Sequence, residues 1–191
     1  MANLSEFSRV ETVFLDRDGV LNEKMPEGCY VTRWADFRPL PGVPEAIQMM
    51  NRAGLTVIVV SNQRGVSLGL YSVDDVNSIH DAFQDLLKSH GAHVDGYFFC
   101  PHDKHQCNCR KPLPGLFEQA ATQFPKIHAT TSVMIGDSLS DIEFGRNLGM
   151  PTVFIDGCQE HRKAGAEVAR GLADQTFPTL ITAVKAIVAI V

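Results

Sequence analysis

Two aspartates one residue apart, Asp16 and Asp18, follow the apolar run Thr12-Val13-Phe14-Leu15 and lead into Gly19. Two more, Asp137 and Asp141, follow a second such run, Ser132-Val133-Met134-Ile135, and Gly136. Ser61 and Asn62 come directly after Leu55-Thr56-Val57-Ile58-Val59-Val60, and Lys111 stands in a later loop. Carboxylates brought together repel unless a cation joins them. Hard oxygen donors suit Mg²⁺, which takes one or two carboxylates, waters and a substrate phosphate. The hydroxyl, the amide and the ammonium would supply hydrogen bonds and positive charge to a phosphoryl group. Asp16 to Gly19 alone also admits a plain strand entering an Asx-type turn. The three acidic and polar stretches together point to phosphate chemistry.

A second set of residues calls for a different metal. Cys100-Pro101-His102 and Cys107-Asn108-Cys109 form Cys-x-His and Cys-x-Cys pairs separated by four residues. Three thiolates and an imidazole suit tetrahedral Zn²⁺ with no open position, hence a structural site that stiffens the loop delivering Arg110 and Lys111. His105 is the alternative to His102. The chain has five cysteines, and a disulfide framework would spread them out rather than gather three beside a histidine. Cys29 and Cys158 are expected to be free thiols.

The elements that must position these groups alternate between strand and helix. Buried strands are expected at Thr12 to Leu15, Leu55 to Val60, Val94 to Phe99, Ser132 to Ile135 and Thr152 to Ile155. Helices are expected after Pro41-Gly42, carrying Val43, Ile47 and Met50, and after Ser72, where Asp75 completes a capping box. Further helices carry Leu116, Phe117, Ala120 and Phe124, then Ile142 to Leu148, then Leu180 to Val191 with one apolar face. Such alternation implies a Rossmann-like α/β fold, three layers (α/β/α) around a central parallel sheet. Ligands of such sheets bind beyond the carboxyl ends of the strands, where both acidic stretches fall. Leu21 to Arg38 reads as a long flap, on which Tyr30, Trp34 and Phe37 are expected to pack rather than stack on substrate. His80, His90, His93, His128 and His161 are expected at the surface or as caps.

The 191 residues suit a single domain, 1–191, with a net charge of -5 and 45% apolar residues. That charge, without an aromatic-basic strip, argues against nucleic acid and anionic membranes as partners. Residues 1–8 lack a signal peptide's apolar core, and Leu180 to Val191 is too short to span a bilayer. A cytoplasmic monomer is expected.

Asp16-x-Asp18-Gly19, Ser61 after a strand, Lys111 and Gly136-Asp137-x-x-x-Asp141, in this order, resemble the motifs of the haloacid dehalogenase superfamily of phosphotransferases over nearly the whole chain. The resemblance implies that Asp16 is the nucleophile, forming an aspartyl-phosphate, and Asp18 the general acid and base. It implies Mg²⁺ on the carboxylates of Asp16 and Asp137 and the backbone carbonyl of Asp18. Lys111 would bridge Asp16 and the phosphoryl group, with Asp141 orienting Lys111 or a metal-bound water. The intervals between Asp16, Ser61 and Lys111 leave no room for an inserted cap domain. Specificity would then come from the flap and loops, with Arg17, Asn62, Gln63, Arg64 and Arg110 as substrate contacts. The zinc loop running into Cys109-Arg110-Lys111-Pro112 resembles the heptose-bisphosphate phosphatases, and next the histidinol-phosphate phosphatases. A small phosphorylated sugar or metabolite is the substrate this implies, with Arg110 gripping a distal phosphate. Ser138 departs from that pattern, which has a basic residue there. Arg64, Arg17 or Arg146 would have to replace its contact. A binding module without catalysis would need a broken acid, and Asp16, Asp18 and Asp137 are all present.

Overall fold

The computed structural model describes residues 5–157 and 164–191; Cys158 and His161 lie outside these. Six strands, β1 (Thr12–Leu15), β2 (Thr56–Asn62), β3 (Gly96–Cys100), β4 (Ser132–Gly136), β5 (Thr152–Ile155) and β6 (Gln175–Phe177), form one sheet. All pair in parallel, in the order β3-β2-β1-β4-β5-β6. The helices are α1 (Val43–Arg52), α2 (Val73–Ser89), α3 (Gly115–Gln123), α4 (Leu139–Asn147), α5 (Ala166–Leu172) and α6 (Leu180–Val188).

Strand alternation sorts the core into two faces. Val13, Leu15, Val57, Val59, Val133 and Ile135 point into one cluster with Ile47, Phe83 and Val184, from α1, α2 and α6. Phe14, Ile58, Val60 and Met134 point into the other with Leu116, Ala120 and Phe144, from α3 and α4. Burial on both faces is why these strands read as continuous apolar runs. The expected three layers are therefore present, and no inserted cap separates β1 from β2 or β2 from Lys111 among the described residues.

Two elements were not expected. β6 is a three-residue edge strand whose side chains are only partly buried, and α5 is a two-turn helix. Neither carries an apolar period long enough to stand out from sequence. β2 also runs two residues further than expected, so Ser61 and Asn62 lie on the strand itself.

Histidine 80 departs from expectation as well. It is 4% exposed on α2, stacked on Tyr97 (centroids 4.6 Å) and edge-on to Phe99, and its Nε2 is buried without a hydrogen-bond partner. Burial, with Arg17 nearby, lowers its pKa to about 3 against a smaller opposing effect of Asp18. Below about pH 6.5 the unfolded chain takes a proton that the folded chain refuses, so this residue removes stability progressively as the pH falls from there towards 3. Between pH 7 and pH 5 the difference is about 2 kcal/mol. Thermal melts are therefore expected to fall by roughly 4–8 °C more for the unaltered chain than for His80→Phe over that interval. Parallel curves for the two proteins would contradict this.

Candidate active site

The strand order reverses between β1 and β4, which opens a crevice at their carboxyl ends. Leu15 pairs with both Val59 and Ile135, so Asp16, one step further, stands level with Val60 and Gly136. Asp137 follows immediately, and Asp16, Asp137 and Asp141 offer carboxylate oxygens within 4.8 Å of one another. Gly19 lets this happen: its φ is +101°, and a Cβ there would sit 2.1 Å from Asp137 Oδ2.

Lys111 closes the cluster from the α3 side. Its buried amine donates to Asp16 Oδ1 (2.9 Å) and to the Val60 carbonyl (2.7 Å), and pairs with Asp141 Oδ1 (2.6 Å). Burial would push the amine down, but Asp141 and Asp16 outweigh it and raise the pKa above the usual lysine value. Asp141 is itself fixed by a capping box, its Oδ2 accepting from the Ser138 N–H (3.1 Å) and hydroxyl (2.6 Å). Ser138 thus has a local structural task at the start of α4. The Ser-x-x-Asp spacing that reveals it is the one read at Ser72.

Burial pushes the Asp137 carboxyl up to about 6, against the lowering effect of Lys24 and with a further rise from Asp16 and Asp141. Its Oδ1 is buried with no hydrogen-bond partner. An orphaned carboxylate oxygen beside two other acids fits a hard divalent cation such as Mg²⁺. Lys24, from the flap, forms an ion pair with Asp137 Oδ2. No sequence period marks this residue, and only its charge hints at it.

Asp18 lies outside the three-carboxylate group. It accepts from Arg17 (3.0 and 3.1 Å), Asn22 Nδ2 (3.0 Å) and Gln63 Nε2 (3.0 Å). Burial raises its pKa, but the Arg17 charge and the hydrogen bonds from Asn22, Arg17 and Gln63 prevail and lower it. In this state the carboxylate is ionised, the form that activates a water. Giving a proton to a leaving group first requires it to acquire one.

The structure redirects three of the five expected substrate contacts. Arg17 is 1% exposed and faces Asp18 and Gln63, so it holds Asp18 rather than meeting substrate. Gln63, 2% exposed, links Asp18, Ser61 Oγ (2.6 Å) and the Tyr71 hydroxyl (2.8 Å). Asn62 clamps the Lys111 backbone, donating to its carbonyl (3.1 Å) and accepting from its N–H (3.0 Å). Arg64 is part-exposed but paired with Asp103 (2.6 Å), and Arg110 is partly buried, donating weakly to the His102 carbonyl (3.4 Å). Ser61 is buried, 1% exposed. Of the flap aromatics, Trp34 stacks on Phe37, Phe37 meets Phe83, and Tyr30 meets Tyr71. Asn22 and Tyr71 were not singled out in the sequence; both act behind Asp18.

The thiol cluster assembles as the spacing suggests. Cys100, His102, Cys107 and Cys109 donor atoms lie within 4.8 Å of one another, with sulfur–sulfur separations of 3.4 and 3.2 Å and His102 Nδ1 3.4 Å from Cys109. A tetrahedron of zinc–ligand bonds near 2.3 Å has edges of about 3.8 Å, so only small movements are needed to hold Zn²⁺. His102 occupies the fourth corner; His105 lies outside the cluster, in a left-handed turn (φ +63°). Replacing Cys107 with Ser is expected to remove bound zinc and to lower the melting temperature by on the order of 10 °C. Elemental analysis beside a thermal melt checks this, and unchanged zinc content would contradict it.

An acidic crevice at a sheet's switch point, with a buried lysine across it and a capless parallel fold, defines a phosphatase of the haloacid dehalogenase-like class. The HAD-hydrolase-like family model matches residues 108–180. A crystal structure of D,D-heptose 1,7-bisphosphate phosphatase from B. bronchiseptica, complexed with magnesium and phosphate, superposes with a TM-score of 0.81, covering 94% of this chain and 99% of that one at 26% identity. The D-glycero-alpha-D-manno-heptose-1,7-bisphosphate 7-phosphatase of Mycobacterium bovis is 39% identical over 169 residues, 88% of this chain and 86% of the relative. The D-glycero-beta-D-manno-heptose-1,7-bisphosphate 7-phosphatase of Rhodopseudomonas palustris is 38% identical over 157 residues, covering 78% and 85%. The chain belongs to the family of the D-glycero-D-manno-heptose-1,7-bisphosphate 7-phosphatases.

Proposed function

We propose that this protein hydrolyses the 7-phosphate of D-glycero-D-manno-heptose 1,7-bisphosphate through an aspartyl-phosphate on Asp16. The observation that carries this reading is the Asp16–Lys111–Asp141 array facing Asp137 at one strand-end crevice. Asp16 is the nucleophile: its Oδ1 is held by Lys111, which leaves the carboxylate oriented rather than free to turn. Lys111 and Ser61 place positive charge and a hydroxyl near the phosphoryl oxygens. Asp18 exchanges protons with the leaving alkoxide and then with water, supported by Arg17, Asn22 and Gln63. The carboxylates of Asp16 and Asp137, with the backbone carbonyl of Asp18, would hold Mg²⁺, which when bound offsets charge between nucleophile and phosphate. Cys100, His102, Cys107 and Cys109 would hold Zn²⁺ as a structural clip on the loop that carries Lys111.

Arg64, three residues beyond Ser61, and Arg110, next to Lys111, both keep partial solvent access, and Arg110 is read as the grip on the 1-phosphate. Relatives named for the heptose bisphosphate favour it over histidinol phosphate as substrate. Among the described residues no helix is long and apolar enough to cross a membrane. We read the chain as a single-domain cytoplasmic monomer without a nucleic-acid or membrane partner. Phosphate release with Mg²⁺ from heptose 1,7-bisphosphate, histidinol phosphate and other phosphorylated metabolites tests the reading. A higher kcat/KM for histidinol phosphate would reverse the assignment.

A further inference from the structure

Lys24 is the one flap residue whose charged end lies inside the crevice. Its amine pairs with Asp137 Oδ2, and the two side chains are only 9% and 10% exposed. The backbone that carries it is pinned at the base of the flap. Asn22 bridges to Pro39, its amide donates to Asp18 Oδ1 (3.0 Å) and to the Glu23 carbonyl (2.8 Å), and the Glu23 N–H donates to the Arg38 carbonyl (2.8 Å). Delivery of Lys24 is therefore fixed at the backbone, and any movement of the amine must come from rotation about its four-carbon stem.

The crevice gathers three carboxylates, Asp16, Asp137 and Asp141, against two ammonium groups. Those two differ in how they are held. Lys111 is anchored by two carboxylates and a carbonyl. Lys24 rests on a single carboxylate, the one whose other oxygen is buried without a partner. An ammonium and a divalent cation on the same carboxylate repel each other, and the group on the flexible stem is the one that yields.

We propose that Lys24 is a two-position residue: counter-ion of Asp137 in the metal-free site, then a donor to the phosphoryl group once a divalent cation has taken Asp137. This rests on the reading of Asp137 as a metal ligand. Lys24 would thereby make metal loading weaker in the empty crevice and phosphate binding stronger in the loaded one.

The test uses the zinc-loaded protein freed of magnesium. Calorimetric titration with Mg²⁺ alone is expected to give about tenfold tighter binding for Lys24→Met than for the unaltered chain. Inorganic phosphate, titrated at saturating Mg²⁺, is expected to bind about tenfold more weakly to the variant. In the unaltered chain, amine-reactive labelling of Lys24 read by mass spectrometry should rise severalfold on adding Mg²⁺ and fall again on adding inorganic phosphate. This second arm stands even if the variant does not fold. Unchanged or weaker Mg²⁺ binding in Lys24→Met, or labelling indifferent to Mg²⁺, would overturn the proposal. Asp137→Asn separates the two levels. If it leaves Mg²⁺ affinity untouched, the metal-site reading fails. If it weakens Mg²⁺ binding while Lys24 responds in neither arm, only the role of Lys24 fails.

Discussion

Asp16→Asn is expected to lower kcat by about a thousandfold or more while leaving the protein folded. The amide is isosteric with the carboxylate, so packing around Leu15 and Lys111 is kept and the melting temperature changes little. What is lost is the anionic oxygen that must bond to phosphorus. Lys111 keeps Asp141 and the Val60 carbonyl as partners, so no buried charge is stranded. Steady-state kinetics at saturating Mg²⁺ and substrate check this, with a circular-dichroism melt as the control. Activity within tenfold of the unaltered enzyme would exclude the covalent route.

Lys111→Met is expected to be the most damaging single change to stability. The lysine pairs with two carboxylates that are 1% and 8% exposed, and its removal takes away the ammonium that lies between them. Breaking a buried pair from one side costs about 3–5 kcal/mol, or roughly 6–20 °C in melting temperature for a chain of this size. The sign with pH follows. In the variant the buried acids have folded-state pKa values raised above those of the unfolded chain. The penalty is thus present at neutral pH and is relieved as the pH falls and they take up protons. The gap in melting temperature between variant and parent should therefore narrow from pH 8 to pH 5. Catalysis should be lost throughout, since the amine also orients Asp16. A variant as stable as its parent at pH 8 would mean that the lysine does not carry this charge balance.

Residues at strand ends were legible from sequence because the fold itself places them. A run such as Val57 to Val60, apolar at every position and rich in β-branched residues, reads as a strand covered on both faces, and whatever follows it enters the crevice. That argument locates Asp16, Ser61 and Asp137. The Cys-x-His and Cys-x-Cys pairs were legible because ligand spacing is local. Contacts made between distant segments were not. Asn62 and Gln63 read as polar loop residues open to substrate, yet the loop after β3 folds back to give Asn62 the Lys111 backbone, and Tyr71 gives Gln63 a partner. Arg17 read as a substrate contact beside the nucleophile, whereas it is buried and donates to Asp18 and Gln63. Lys24 reaches Asp137 across 113 residues of sequence, a pairing set only by how the flap folds back. His80 was misplaced for the opposite reason: its ring is apolar enough to stack on Tyr97 when kept neutral, and sequence gives no sign of its protonation state.

Passage of the phosphoryl group through the Asp16 carboxylate is open to direct trapping. Acid-quenching the enzyme during turnover, followed by peptide mass spectrometry, should show a phosphoryl adduct on the peptide containing Asp16, absent from Asp16→Asn and lost as substrate is exhausted. For the second step, single turnover in ¹⁸O-water is expected to put ¹⁸O in the released phosphate and not in Asp16, which places the attack of water at phosphorus rather than at the acyl carbon. An unmodified Asp16 peptide under active turnover, with Asp16→Asn still releasing phosphate, would mean that water attacks the substrate directly and no aspartyl-phosphate forms.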